Sequence, residues 1–506
     1  MLKRITWSGS NGLNSVKGGV GFTYNTDMQV NTETVYPATG GADSVNLKYD
    51  KDGLMTRVGA LRLRYDTGSN LLLSDTLNGL ITNYSYTAFG ELASKEATFG
   101  ATSLFRVDYV RDSLRRITEK RETMQGVTTK DNYAYDAVGR LSSVWKNDTL
   151  VSEYSYDVNG NRLAKITPTV VDSGRYDTQD RMLSYGNDSY VYSPYGDQKF
   201  KIEGTDTTRY VYDAFGSLVS ITLRNGTLIE YLLDGNGLRV GRKVDGVVTQ
   251  KWLYSNNLRI VAELDGANNV VSRFVYTTSE NTPDYMVHAG VNYRLIKDHL
   301  GSIRQVVNAQ TGDVVQEMEY DEYGNLVRDS NPGFTPFGFA GGLYDVQTEM
   351  VRYGVRDYEP SAARWTAKDP VRFQGNQNNL YVYLNNDAVN STDAKGLALD
   401  PKTRAIGTAI IGTALAYMVD EAAQAVGPGR LRGALRMASA FLSWYSAYEA
   451  LTYSAASFGA LTTPGVGTAF KVGSMIVGGA ALGFSAYDVA VGADFFLESM
   501  REFGYE

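Results

Sequence analysis

A tyrosine-aspartate pair followed by glycine three positions after the aspartate recurs along this chain, and that recurrence constrains the fold more than any other feature. Copies read Tyr49-Asp50-Lys51-Asp52-Gly53-Leu54, Tyr135-Asp136-Ala137-Val138-Gly139-Arg140-Leu141, Tyr156-Asp157-Val158-Asn159-Gly160, Tyr212-Asp213-Ala214-Phe215-Gly216, Tyr320-Asp321-Glu322-Tyr323-Gly324 and, with threonine in the aspartate's place, Tyr86-Thr87-Ala88-Phe89-Gly90-Glu91-Leu92. Looser copies at Tyr65-Asp66, Tyr109 to Ile117, Tyr176-Asp177, Leu233-Asp234-Gly235-Asn236-Gly237 and Asp298-His299-Leu300-Gly301 keep the register to about residue 327. Neighbouring copies are mostly 16 to 26 residues apart. Each unit pairs two runs of alternating apolar and polar residues around an Asp-x-x-Gly turn, which predicts one β-hairpin per repeat. One hairpin cannot bury its own apolar face, so successive units must stack into a continuous sheet.

Composition supports this reading. Tyrosine at 36 and glycine at 52, against 11 prolines, suits pleated surfaces joined by tight turns. There is no cysteine, which removes disulfides and thiolate metal sites, and two histidines, His288 and His299, make a poor zinc set. No metal or cofactor is expected. The net charge of −7 is spread along the chain without a basic block, so nucleic acid is not expected as a partner of the repeat region. Met1-Leu2-Lys3-Arg4-Ile5-Thr6-Trp7 is followed by polar and glycine-rich sequence rather than the apolar stretch of a signal peptide.

The Tyr-Asp-x-x-Gly-x-Leu hairpins resemble the YD repeats of bacterial Rhs proteins, of the C components of Tc toxin complexes and of teneurins. A second block carries a sharper resemblance. It comprises Pro336-Phe337-Gly338-Phe339-Ala340-Gly341-Gly342-Leu343-Tyr344-Asp345, Arg352-Tyr353-Gly354-Val355-Arg356-Asp357-Tyr358, Arg364-Trp365-Thr366-Ala367-Lys368-Asp369-Pro370 and Asn379-Leu380-Tyr381-Val382-Tyr383. It is similar to the Rhs repeat-associated core. The resemblance implies a mainly β fold in which the hairpin strip spirals into a shell closed by the core, and a self-cleaving site that frees a variable C-terminal segment, usually a toxin.

The Tc-toxin pattern maps an Arg-Asp pair and a second aspartate twelve residues on to Arg356, Asp357 and Asp369, which the resemblance implies as the cleavage residues. Two neighbouring carboxylates share a proton, so that one activates water while the other polarises the scissile carbonyl. Arg356 either orients a carboxylate or stabilises developing charge. The same three residues also suit a salt-bridge network. The segment Asp393-Ala394-Lys395-Gly396-Leu397 resembles the family's Asp-Pro-x-Gly-Leu and places cleavage between Leu397 and Ala398. Ala394 departs from the pattern's proline, and Arg372, Ala363 and Glu349 stand where it has glycine; a positive φ at Arg372 would be strained.

From Ala398 the repeat gives way to an alanine- and glycine-rich segment of 109 residues with 7 basic and 9 acidic side chains. Uncharged helix-like runs at 405–419, 437–448 and 472–487 predict an α-helical domain, suited either to membrane action or to ordinary helix packing. It lacks histidine and cysteine, which leaves carboxylates such as Asp420, Glu421 and Glu449 as candidate polar groups, although such residues more often form solvated faces. The sequence thus divides into YD/RHS repeats at 1–330, an Rhs core at 331–397 and an effector-like tail at 398–506. The implied setting is a secreted or surface-associated polymorphic toxin, with a secretion system or toxin-complex subunit, a cognate immunity protein and a target membrane as partners. The alternative is a non-catalytic structural or adhesive surface protein.

Overall fold

The computed structural model describes residues 3–8, 16–375 and 377–397. The expected helical tail, and Ala398 with it, lies outside the described residues. The protein is mainly β: thirty-one described strands, from Arg4–Ser8 to Leu326–Asp329, form one sheet in which each described pairing is antiparallel and joins neighbours in sequence. Among the described residues no helix is long and apolar enough to cross a membrane.

The repeat is explained by its turn. Asp50 donates its backbone N–H to the Leu54 carbonyl (2.9 Å), and Gly53 N–H returns to the Asp50 carbonyl (3.2 Å). The Asp50 Oδ1 accepts the N–H groups of Asp52 (3.0 Å) and Leu54 (2.9 Å). Gly53 sits at φ +81°, and the pairing slips by one residue between Lys48 and Tyr49. This is a type I turn closed by a bulge whose extra residue is left-handed, which is why the motif needs aspartate first and glycine fourth. Asp213 repeats the arrangement with Phe215 and Ser217, both at 2.9 Å. Where glycine is missing the backbone still goes left-handed, at Asp180 (φ 59°) and Asn268 (φ 69°).

The tyrosine has a separate task. Tyr49 donates its hydroxyl to the Val30 carbonyl (2.9 Å), Tyr86 to Leu72 (2.9 Å), Tyr156 to Leu141 (2.7 Å), Tyr176 to Arg162 (2.8 Å) and Tyr254 to Arg239 (2.8 Å). Each acceptor lies just beyond the preceding turn of the same kind. A meander alternates its edges, and two strands separate successive turns, so all these turns lie along one edge of the sheet and the hydroxyls stitch them laterally. Phenylalanine could fill the same space but not make this bond, in keeping with 36 tyrosines against 18 phenylalanines.

Segments 111–117 and 135–140 belong to a second unit. They keep the same chemistry, with Arg116 on Asp112 (2.7 Å) and Arg140 on Asp136 (2.6 Å). The turn in the first of them starts at Arg111-Asp112, two residues after Tyr109, and Arg115 takes the left-handed place at φ 64°.

Beyond Asp329 the chain leaves the long sheet and builds a four-stranded antiparallel one from Leu343–Asp345, Met350–Tyr353, Arg356–Glu359 and Arg364–Trp365. Side chains of this sheet and of the segment after it read the turn edge through one repeated contact, the carbonyl of the left-handed turn residue. Asn386 Nδ2 donates to Gly160 (2.8 Å), Tyr381 Oη to Gly196 (2.7 Å), Arg352 to Gly237 (3.1 Å) and Arg364 to Asp180. Inside, Tyr353, Tyr358, Trp365 and Tyr383, each 1% exposed or less, form an aromatic box with ring centroids 4.2 to 6.2 Å apart. Such rings supply a large apolar core, with Trp365 edge-to-face against all three tyrosines.

Candidate functional site

Arg356 and Asp357 are consecutive on the strand Arg356–Glu359, so their side chains leave on opposite faces. The alternation separates the three residues named by the family pattern into two buried clusters.

On one face, Asp357 is clamped between Arg239 (2.8 Å to Oδ1) and Arg352 (2.7 Å to Oδ2), and all three are at most 4% exposed. Arg352 is its partner across the hairpin, whereas Arg239 comes from the repeat sheet. The second arginine lies on the Tyr231 ring, 3.4 Å from its centroid. This cluster has the character of a structural ion pair.

On the other face, Arg356 reaches two carboxylates at once, Asp369 at 2.7 Å and Asp393 at 3.2 Å. Its guanidinium lies 4.0 Å from the centre of the Trp365 ring, a cation–π contact. Asp369 and Asp393 are 4% and 5% exposed. Burial lifts the Asp369 carboxyl to about 6; Arg356 and the Val371 N–H oppose the lift, and the Asp393 charge adds to it. Burial likewise pushes Arg356 downward, against the pull of Asp369 and Asp393.

Both carboxylates sit at the head of the turn used by the repeats. Asp369 Oδ1 accepts Val371 N–H (2.9 Å) while Arg372 N–H donates to the Asp369 carbonyl (2.9 Å). Asp393 Oδ1 accepts Leu397 N–H (3.3 Å) while Gly396 N–H donates to the Asp393 carbonyl (3.3 Å). The residues in the glycine place are left-handed in both, Arg372 at φ 52° and Gly396 at φ 62°. Glu349 (φ 57°) and Ala363 (φ 52°), the other non-glycine residues at glycine places, also adopt positive φ.

The end of the core is held tightly. Arg356 Nε donates to the Gly396 carbonyl while Asp393 takes the next N–H, so the Gly396–Leu397 peptide is gripped on both sides by the Arg356–Asp393 pair. Val355 N–H donates to the Lys395 carbonyl (3.2 Å). A Cβ on Gly354 would lie 2.2 Å from that carbonyl, and one on Gly396 2.4 Å from the Tyr353 carbonyl, so both glycines are demanded by close backbone approach.

The structure thus unites Arg356, Asp369 and the segment ending at Leu397, and places Asp357 apart from them. Sequence reasoning passed over Asp393 as an acid, although the recurrence of Asp-x-x-Gly spacing at Asp369–Arg372 and Asp393–Gly396 signals it. Arg239 carried no local signal, because its pairing with Asp357 is fixed by packing between the core and the repeat sheet, whereas Arg352 faces Asp357 across one hairpin.

Comparison with known proteins completes the picture. Teneurin-4 of Mus musculus is 29% identical over 344 residues, 62% of this chain and 12% of that protein. Teneurin-3 of Danio rerio is 29% identical over 303 residues, 55% and 11%. Teneurin-1 of Homo sapiens is 30% identical over 275 residues, 51% and 10%. The chain therefore spans about a tenth of the length of these relatives. Among solved structures, the Photorhabdus luminescens Tc holotoxin pore carrying a TccC3 mutation superposes with a TM-score of 0.62 at 17% identity, over 78% of this chain and 22% of that one. The TcdB2-TccC3 crystal structure gives 0.54 at 17% identity, over 75% and 22%. These likenesses establish a common fold. The Teneurin YD-shell family model matches residues 1–389, well over half of the sequence, and the chain belongs to that family.

Proposed function

We propose that this chain is part of a YD-repeat shell whose core cleaves its own backbone between Leu397 and Ala398 and so frees the segment 398–506. The observation that carries the reading is the joint hold of Arg356 and Asp393 on the Gly396–Leu397 peptide, with Asp369 on the same guanidinium. The peptide next to the expected scissile bond is fixed before any chemistry, the condition under which an intramolecular reaction gains most from orientation.

The chemistry is that of an aspartyl dyad sharing one proton. Asp369, with the carboxyl that burial lifts to about 6, is the protonated partner and hydrogen-bonds to the Leu397 carbonyl oxygen. Asp393, as carboxylate, takes a proton from water while the water oxygen bonds to the Leu397 carbonyl carbon. Collapse breaks the carbon–nitrogen bond and returns the proton to the Ala398 nitrogen, leaving a carboxyl at 397 and an amine at 398. No cofactor or metal enters these steps. Asp357 acts at one remove, holding the strand that presents Arg356.

The freed segment is an effector, and its uncharged runs at 405–419, 437–448 and 472–487 suit action on a target membrane. The TcdB2-TccC3 likeness supports a place as a toxin-complex subunit acting outside the producing cell, with an immunity protein as the corresponding safeguard. A second reading, a non-catalytic structural or adhesive shell, draws on the Asp357 cluster, whose paired charges suit a scaffold. Intact-mass analysis of the purified chain beside Asp369→Asn separates the two. Fragments of 397 and 109 residues from the wild type, and none from the variant, are expected; an intact wild type selects the scaffold.

A further inference from the structure

The dyad chemistry depends on one guanidinium being in one place. All three Arg356 nitrogens are engaged: Nε on the Gly396 carbonyl, Nη1 on the Leu380 carbonyl (3.5 Å), and Nη2 on both Asp369 (2.7 Å) and Asp393 (3.2 Å). These N–H groups lie in the guanidinium plane, so its faces are left to contacts of another kind. Ordering so long a side chain is costly in rotamer entropy, and a contact on its face offsets that cost.

Trp365 supplies that contact. The guanidinium carbon lies over the indole ring, 4.0 Å from its centre, and tryptophan is the aromatic side chain that attracts a cation most strongly. Trp365 is itself fixed from several sides. It is buried, its backbone N–H donates to the Tyr381 carbonyl (3.0 Å), and it pairs with Tyr358 across the strands. Its ring meets those of Tyr353, Tyr358 and Tyr383 at 5.9, 5.8 and 5.4 Å between centroids. The Tyr358 hydroxyl in turn donates to the Tyr323 carbonyl (2.8 Å), in the turn that follows Tyr320, so the platform under Arg356 is anchored on the repeat region.

We propose that Trp365 is a positioning residue for self-cleavage, its ring fixing the Arg356 guanidinium and, through it, the spacing of Asp369, Asp393 and the Gly396 carbonyl. The role has a signature in pH. The charged groups facing Asp369 are Arg356 and Asp393: burial raises the Asp369 carboxyl, Arg356 opposes the rise and Asp393 adds to it. An Arg356 released from Trp365 opposes less. The carboxyl then rises further, and cleavage, which needs it protonated, extends to higher pH while its rate falls. A mere loosening of the core has the opposite sign, because water reaching the carboxyl shrinks the effect of burial and moves the profile to lower pH.

This inference rests on the self-cleavage reading, and the test separates the two. The full chain is made by cell-free synthesis as wild type, Trp365→Phe, Trp365→Leu and Asp369→Asn. The first-order appearance of the 109-residue fragment is followed from pH 5 to pH 8. Trp365→Phe keeps a weaker cation–π partner in the same place; it is expected to slow cleavage roughly tenfold and to move the midpoint of the pH profile upward. Trp365→Leu, with no ring, should go further in both respects; if urea unfolding shows that it has not folded, the phenylalanine chain decides. A Trp365→Phe rate close to wild type overturns the proposal. So does a midpoint that stays or moves down, which marks Trp365 as core packing only. An uncleaved wild type, or an Asp369→Asn chain that cleaves normally, overturns the self-cleavage reading and the proposal with it.

Discussion

Replacing Asp357 by asparagine removes the one negative charge between two buried arginines. Asp357 is 3% exposed, Arg239 3% and Arg352 4%, and both ion pairs are 2.7 to 2.8 Å long. Water cannot take over the lost charge. Breaking a buried pair in this way costs about 3–5 kcal/mol, because the surviving cation stays desolvated; here two survive. That is a large part of the 5–15 kcal/mol that typically separates folded from unfolded domains. Urea unfolding followed by tryptophan fluorescence measures it, since Trp252 and Trp365 are both buried in the described fold. The Asp357→Asn transition is expected at clearly lower urea, with cleavage lost through disorder of the core. A second variant, combining Asp357→Leu, Arg239→Met and Arg352→Met, replaces the whole cluster by apolar groups, a change that is commonly near neutral. It should recover the stability and with it the cleavage. An Asp357→Asn chain within about 1 kcal/mol of wild type would refute the reasoning, since no buried pair of consequence could then exist there. A recovered fold that still fails to cleave would make the Asp357 carboxylate a participant in the reaction.

Cleavage should depend on pH through Asp369, whose lifted carboxyl, at about 6, must be protonated to act as the acid. The fraction protonated falls about tenfold per pH unit above that value, so the cleavage rate should drop from pH 6 to pH 8 in a timed mass-spectrometric assay. Arg372→Gly and Glu349→Gly should each stabilise the core by about 1 kcal/mol, because a side chain in the left-handed region costs about 1–2 kcal/mol that glycine avoids, less its greater freedom when unfolded. Both positions are exposed and left-handed, at φ 52° and 57°, so few contacts are lost. Urea midpoints check this, and an unchanged or lowered midpoint in both counts against it.

The sequence by itself determined the repeat and its turn. Tyr-Asp-x-x-Gly states a local hydrogen-bond scheme: the Asp50 carboxylate on its own loop, Gly53 left-handed, and the Tyr49 hydroxyl returned to the carbonyl beyond the previous turn. Interactions within one or two hairpins recur from copy to copy, so the letters carry them. Legible too was the positive φ at Arg372, because a single missing glycine stands out against a motif. Tertiary structure alone decided how the charged residues of the core are sorted. Arg356 and Asp357 are adjacent letters, yet the strand directs one to Asp369 and Asp393 and the other to Arg239, more than a hundred positions away. Strand alternation assigns the two side chains to opposite faces, but which carboxylate or arginine waits on each face depends on packing between the core and the repeat sheet, and no local pattern records that.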